Sequence, residues 1–225
     1  MSQIEPSYQP DPPEAEVTPE ELAARLAAKL CHDFISPAGA IVSGLDLLED
    51  PTAKDMRDEA MSLIASSAKK LTDSLAFARV AFGTSMGAES FDSAELQRLT
   101  AGVFAHVRAE LDWAITPQSI PKRAALVLLN LAQLAGGALP MGGVARTELI
   151  AEGATCHLTV KARGARTRLH SEVETGLAGR PLIEGLPGRW VQPYYVNAVA
   201  RAAGGTTEVE ASDELIVFRA TIPTG

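Results

Sequence analysis

The run Cys31-His32-Asp33-Phe34-Ile35-Ser36-Pro37 places an imidazole next to a carboxylate. Histidine is one of the side chains that can carry a covalent intermediate as a nitrogen nucleophile. The run lies inside a long amphipathic pattern and is therefore helical. At about 100° per residue, Leu26, Leu30, Phe34, Ile41, Leu45 and Leu48 form one apolar stripe. His32 lies two residues from Leu30, about 200° round the helix, and so points away from that stripe towards water. Ser36, Gly39 and Ser43, all small, share its face, and Lys29 precedes it by three residues. An exposed imidazole beside a smooth strip suits the docking of a partner that reacts with it. A solvated surface histidine is the plain alternative.

The elements that position this run are sharply marked. Thr18-Pro19-Glu20-Glu21 carries an N-cap threonine, proline at the first helical position and glutamate at the third, a capping box. The helix should run to about Glu49, with a kink before Pro37, where a backbone hydrogen bond is lost. Asp50-Pro51-Thr52 is a turn. A second helix is expected from about Thr52 to Phe82, with Met56, Ala60, Leu63, Ile64, Ala68, Leu71, Leu75, Ala78 and Phe82 as its apolar positions. Two long helices joined by a short turn make an antiparallel hairpin. Its apolar seam needs cover, supplied either by a second hairpin in a C2 dimer, the favoured arrangement, or by the C-terminal region.

The remainder mixes helix and strand. Helices are expected over 94–111, 121–134 and 194–203, and strands over 147–151, 156–163, 206–211 and 215–222. Helices beside antiparallel strands define an α+β sandwich. The chain thus divides into a disordered, acidic, proline-rich tail (1–17), a helical hairpin (18–83), a linker (84–90) and an α+β domain (91–225).

Composition narrows the function classes. Five of the 28 acids fall in residues 1–20 with no base, which leaves 23 acids against 20 bases. A folded part this close to neutral argues against non-specific nucleic-acid binding. Cys31 and Cys156 form no disulfide framework. No signal segment precedes the first helix, and the most apolar window, 124–141, is broken by Asn130, Gln133, Gly136, Gly137 and Pro140. No membrane span and a cytoplasmic location are the expectation.

His32-Asp33-x-x-x-Pro37 on the first helix of a hairpin resembles the phosphorylated-histidine box of two-component histidine kinases, and the domain order agrees with that family. Leu128-Leu129-Asn130-Leu131 resembles the start of the N box. Leu158–Gly164 resembles the strand entering the first glycine box. Tyr195–Gly205 resembles the helix and glycine pair after the second. The nucleotide-holding residues differ. The Mg²⁺-binding asparagine position holds Leu134, and an alkyl chain does not ligate a hard cation. The adenine-reading aspartate position holds Ala162, and a glycine position holds Arg166. Gly188-Arg189-Trp190-Val191-Gln192-Pro193-Tyr194 stands where glycines let backbone N–H groups approach phosphate.

A histidine box on a dimeric hairpin, joined to a degenerate Bergerat-type ATPase-like sandwich, is similar to the stand-alone histidine phosphotransferases. The resemblance implies a homodimeric four-helix bundle that takes a phosphoryl group on His32 from the receiver domain of a hybrid histidine kinase (CckA-like). From there the group passes to response regulators (CtrA-like, CpdR-like). Asp33 would orient the ring or take its proton, although neighbouring helical side chains diverge by about 100°. Ser36, Gly39 and Ser43 would border the partner, and Lys29 would attract phosphate. No cofactor is bound by this chain in that reading, the Mg²⁺ being the receiver's. His106, His157 and His170 carry no motif, and Trp113 and Trp190 read as packing anchors. A divergent ATP-using kinase and a non-catalytic scaffold that grips regulators are the two rival readings.

Overall fold

The computed structural model describes residues 17–83, 89–181 and 187–224. The expected tail (1–17) lies almost wholly outside these residues, and so does most of the expected linker (84–90). Helix α1 spans Pro19–Glu49. The Thr18 hydroxyl accepts the Glu21 amide at 3.2 Å, so half of the capping box forms. The Glu21 carboxylate pairs with Arg25 instead of folding back, at 2.6 Å. The helix runs unbroken through Pro37, which is buried. Proline has no N–H, so the carbonyl of Asp33, four residues earlier, lacks its helical donor. A 3-10 turn at Lys54–Met56 then leads into α2, Arg57–Ala81, and α1 and α2 pack antiparallel.

The helices pack tightly at Gly44, where a Cβ would stand 2.6 Å from Cγ1 of Ile64 and 3.2 Å from the Ala60 carbonyl. Gly39, on the outer face, would meet nothing within 4 Å. Leu45, placed by periodicity on the core-facing stripe, is instead 47% exposed. With Ile35 and Val42, also exposed, it forms a second apolar stripe at spacings of seven and three.

The C-terminal region comprises β1 (Ser90–Asp92), α3 (Ser93–Phe104), β2 (Ala109–Ala114), β3 (Ser119–Pro121), α4 (Lys122–Gly137), β4 (Gly143–Glu152), β5 (Thr155–Arg163), α5 (Ser171–Leu177), α6 (Pro187–Ala202), β6 (Thr206–Ala211) and β7 (Leu215–Pro223). The main sheet has the order β2-β4-β5-β7-β6, with β2 parallel to β4 and the other pairs antiparallel. β1 and β3 form a separate two-stranded ribbon. Along β5 the inward positions Leu158, Val160 and Ala162 are buried, and α4 covers that face of β4, β5 and β7.

Three expectations need correction. The helix read over 94–111 stops at Phe104, and Ala109–Ala114 is the parallel edge strand β2. Helix α5 was not anticipated. The helix expected over 194–203 begins earlier, at Pro187, so that the stretch aligned with the second glycine box forms the first turns of α6.

Phe77, Val80 and Ala81 at the end of α2 are buried in the same core cluster as α4. The C-terminal region therefore covers one end of the hairpin, while Ile35, Val42 and Leu45 stay exposed. Gly44→Val is expected to lower stability by about 1–3 kcal/mol through overpacking against Ile64. Gly39→Ala should raise it by about 0.5–1 kcal/mol by removing an unneeded helix-interior glycine. Urea unfolding of both variants reads these opposite signs.

Candidate functional site

His32 stands at the rim of a cleft of about 920 Å³ between the hairpin and the C-terminal region. Its ring is 88% exposed, and its Nδ1 faces Oδ1 of Asp33 at 3.6 Å. That separation is an electrostatic contact, longer than a hydrogen bond. Asp33 is held from below: Lys29, one helical turn earlier and largely buried, donates to its Oδ2 at 2.5 Å. The lysine expected to attract phosphate is thus engaged with Asp33 and fixes where that carboxylate stands.

Ser36 borders the same cleft, so Lys29, His32, Asp33 and Ser36 come together. Gly39 and Ser43 are exposed farther along α1 and take no part in the cleft wall. Cys31, beside the histidine, is an exposed free thiol, and Cys156 a buried one whose pKa burial pushes up.

Basic side chains line the cleft from both sides. Lys70 of α2, Arg168 in the loop before α5 and Arg189 of α6 all line the cleft. Arg189 donates to Nδ1 of His170 at 3.2 Å. Burial, then the charges of Arg189 and Arg168, hold the His170 pKa below its ordinary value, with Glu172 opposing. A neutral His170 accepting from a guanidinium is the consistent arrangement. Among the described residues Asp33 is the one acidic side chain lining the cleft. Leu134, at the position aligned with the Mg²⁺-binding asparagine, also lines it and offers only an alkyl chain.

Sequence reasoning missed Lys70, Arg168 and Arg189 as cleft residues, because only the fold brings three separate segments together. The Lys29–Asp33 pair was missed as well, although its spacing of four places both side chains on one helix face.

Below the cleft, Asp73 of α2 accepts from Lys69 at 2.6 and 2.7 Å, and its Oδ2 lies 2.8 Å from Nε2 of His106. The pair ties α2 to the end of α3, with Gly102 leaving room for the carboxylate. Burial raises the Asp73 pKa, but the hydrogen bonds from Lys69 and His106 and their charges outweigh it, and the net direction is down. Trp190 is an anchor, 1% exposed, with Nε1 donating to the Arg180 carbonyl at 2.9 Å. Its ring lies 5.7 Å from the Arg25 guanidinium of α1.

A helical hairpin thus sets an exposed histidine at the rim of a cleft against an α+β layer. The family model for the histidine phosphotransferase C-terminal domain matches residues 93–215. Protein phosphotransferase ChpT of Brucella abortus (strain 2308) is 33% identical over 201 residues, 89% of this chain and 95% of its own. A bacterial phosphotransferase whose structure was solved at 1.7 Å superposes with a TM-score of 0.82 at 31% identity, over 92% of this chain and 98% of that one. The chain belongs to the histidine phosphotransferase family. It transfers phosphoryl groups in a two-component relay, and response regulators are its partners. Among the described residues no helix is long and apolar enough to cross a membrane.

The Asp73 geometry sets a pH dependence. A carboxylate with a lowered folded pKa adds stability that is present above the unfolded value, 3.8. That stability is lost as pH falls through the folded value. Asp73→Asn is therefore expected to cost about 1–3 kcal/mol at pH 7, and the gap to the wild type should shrink below pH 4. Urea titrations at several pH values measure it.

Proposed function

We propose that His32 is the residue that carries the phosphoryl group, received from the receiver domain of a hybrid histidine kinase and passed to response regulators. The observation that carries this reading is the geometry of the ring: almost fully exposed, fixed on a helix, and facing Asp33 through Nδ1. The carboxylate favours the proton on Nδ1 and leaves Nε2 outward as the nucleophile. In the transfer, Nε2 attacks the phosphorus of the receiver's aspartyl phosphate in line. The P–N bond forms as the P–O bond to the aspartate breaks, and the aspartate leaves as a free carboxylate. Asp33 balances the charge that develops on the ring, with Lys29 holding it in place. The receiver supplies the Mg²⁺ that neutralises the equatorial oxygens, and this chain holds neither metal nor nucleotide.

The receiver seats against the smooth face of α1, at Ser36, Gly39 and Ser43. The basic lining of Lys70, Arg168 and Arg189 attracts its acidic phosphorylation pocket. In this reading the α+β layer widens a contact that a bare helix face would leave narrow. With purified phospho-receiver, Mg²⁺ and no ATP, acid-labile label should appear on the wild type and be absent from His32→Ala. Labelled ATP alone should give none. Label from ATP would establish an autokinase, and receiver binding without label would establish a scaffold.

The protein acts as a homodimer. The exposed stripe of Ile35, Val42 and Leu45, with Met61 and Leu75 exposed on α2, supports the pairing of two hairpins as a four-helix bundle. Val42→Glu with Leu45→Glu should convert a dimer to a monomer in analytical ultracentrifugation. A monomeric wild type would remove the bundle.

A further inference from the structure

The hairpin and the α+β layer meet across a buried amide network that the transfer step does not use. Asn130, at the centre of α4 and 0% exposed, donates from Nδ2 to the Ala81 and Leu126 carbonyls, each at 2.9 Å. Its Oδ1 accepts from Nε2 of Gln192 at 3.0 Å, and the same nitrogen donates to Oε1 of Gln133 at 2.7 Å. The network joins α2, α4 and α6.

Ala81 is the last residue of α2, and the final carbonyls of a helix have no partner of their own. Asn130 reaches across from another helix to satisfy one of them. Apolar packing around Phe77 and Val80 holds the two parts together but is non-directional. A satisfied buried amide network accepts only one register, because any slide leaves acceptors unpaired in a low-dielectric interior. The network also reaches the site: Gln133 and Gln192 line the cleft below His32, and Arg189 lies one helical turn before Gln192.

We propose that Asn130, Gln133 and Gln192 are positioning residues, a latch that fixes Arg168 and Arg189, the cleft cations of the α+β layer, against His32 so that the receiver meets a preformed seat. This rests on the reading of His32 as phosphoryl carrier. Residues at and beside the degenerate nucleotide motifs thus hold two parts of the chain in one orientation. If the latch is lost, the competent arrangement becomes one of several. The apparent affinity for receiver then falls by the competent fraction, while the chemistry on His32 is unchanged once the receiver is bound.

The test uses the full-length chain with Asn130→Leu and, separately, Gln192→Leu. Each is assayed below its unfolding temperature for transfer from phospho-receiver over a range of receiver concentrations. The half-saturating concentration should rise about tenfold, with the maximal rate within about twofold. Spin labels at Asp58→Cys and Glu208→Cys, in a Cys31→Ser background diluted with unlabelled subunits, report the orientation. One narrow distance in the parent should broaden in the variants. A distribution as narrow as the parent's, or unchanged half-saturation accompanied only by a lower Tm, overturns the latch. Absence of transfer to the wild type overturns the reading of His32 instead, and the distance distribution then still decides for or against a fixed orientation.

Discussion

The burial of the end of α2 inside the core of the α+β layer governs the rest of the structure. Phe77, Val80 and Ala81 belong to the same apolar cluster as Leu128, Leu131 and Phe218. Burying side chains such as Phe77 and Val80 contributes about 1.5–3 kcal/mol each. This common core turns two elements of different architecture into one object with a cleft between them. Phe82 against Tyr195, with ring centroids 5.5 Å apart, extends the contact at the helix end. Burial pushes the Tyr195 phenol up to about 12. The cleft is as well defined as that contact, because its walls come from both sides.

Within that frame the site is economical. One exposed ring, one carboxylate at electrostatic range and one largely buried lysine beneath it make the edge proposed to react. Lys29 is engaged with Asp33. Further positive charge lines the cleft on Lys70 of the hairpin and on Arg168 and Arg189 of the α+β layer. In the proposed transfer the phosphoryl group reaches the ring at the rim of a cleft lined with cations. This suits a carrier that must release what it accepts.

Much of this was legible in the residues, and the failures have physical causes. Thr18, Pro19 and Glu21 marked the start of α1 because capping is local chemistry. His32 was placed outward by helical geometry. The Gly204-Gly205 stop and the last hairpin were equally local. Ala109–Ala114 was misread because Ala-Glu-Leu-Asp-Trp-Ala has ordinary helical composition. It becomes a strand through parallel pairing with β4, whose paired residues lie 34 positions on. Leu45 was assigned inward because α1 carries two apolar stripes, and periodicity does not say which one the chain covers itself. Helix α6 was expected only from Tyr194 because the stretch before it was aligned with a glycine box, where Trp190 and Gln192 in fact pack as helix. The cleft cations had no local signal at all.

The Asn130 contact to the Ala81 carbonyl bears on modularity. Hairpins and α+β layers look like parts that recombination could exchange freely. Here the last carbonyl of one part is capped by a side chain of the other, and the apolar turn before it completes the other's interior. A hairpin brought in from a relative would have to bring a matching final turn, or find a layer already shaped for it. The two halves are therefore expected to diversify together, with the seam at residues 77–82 as the place where their histories are joined.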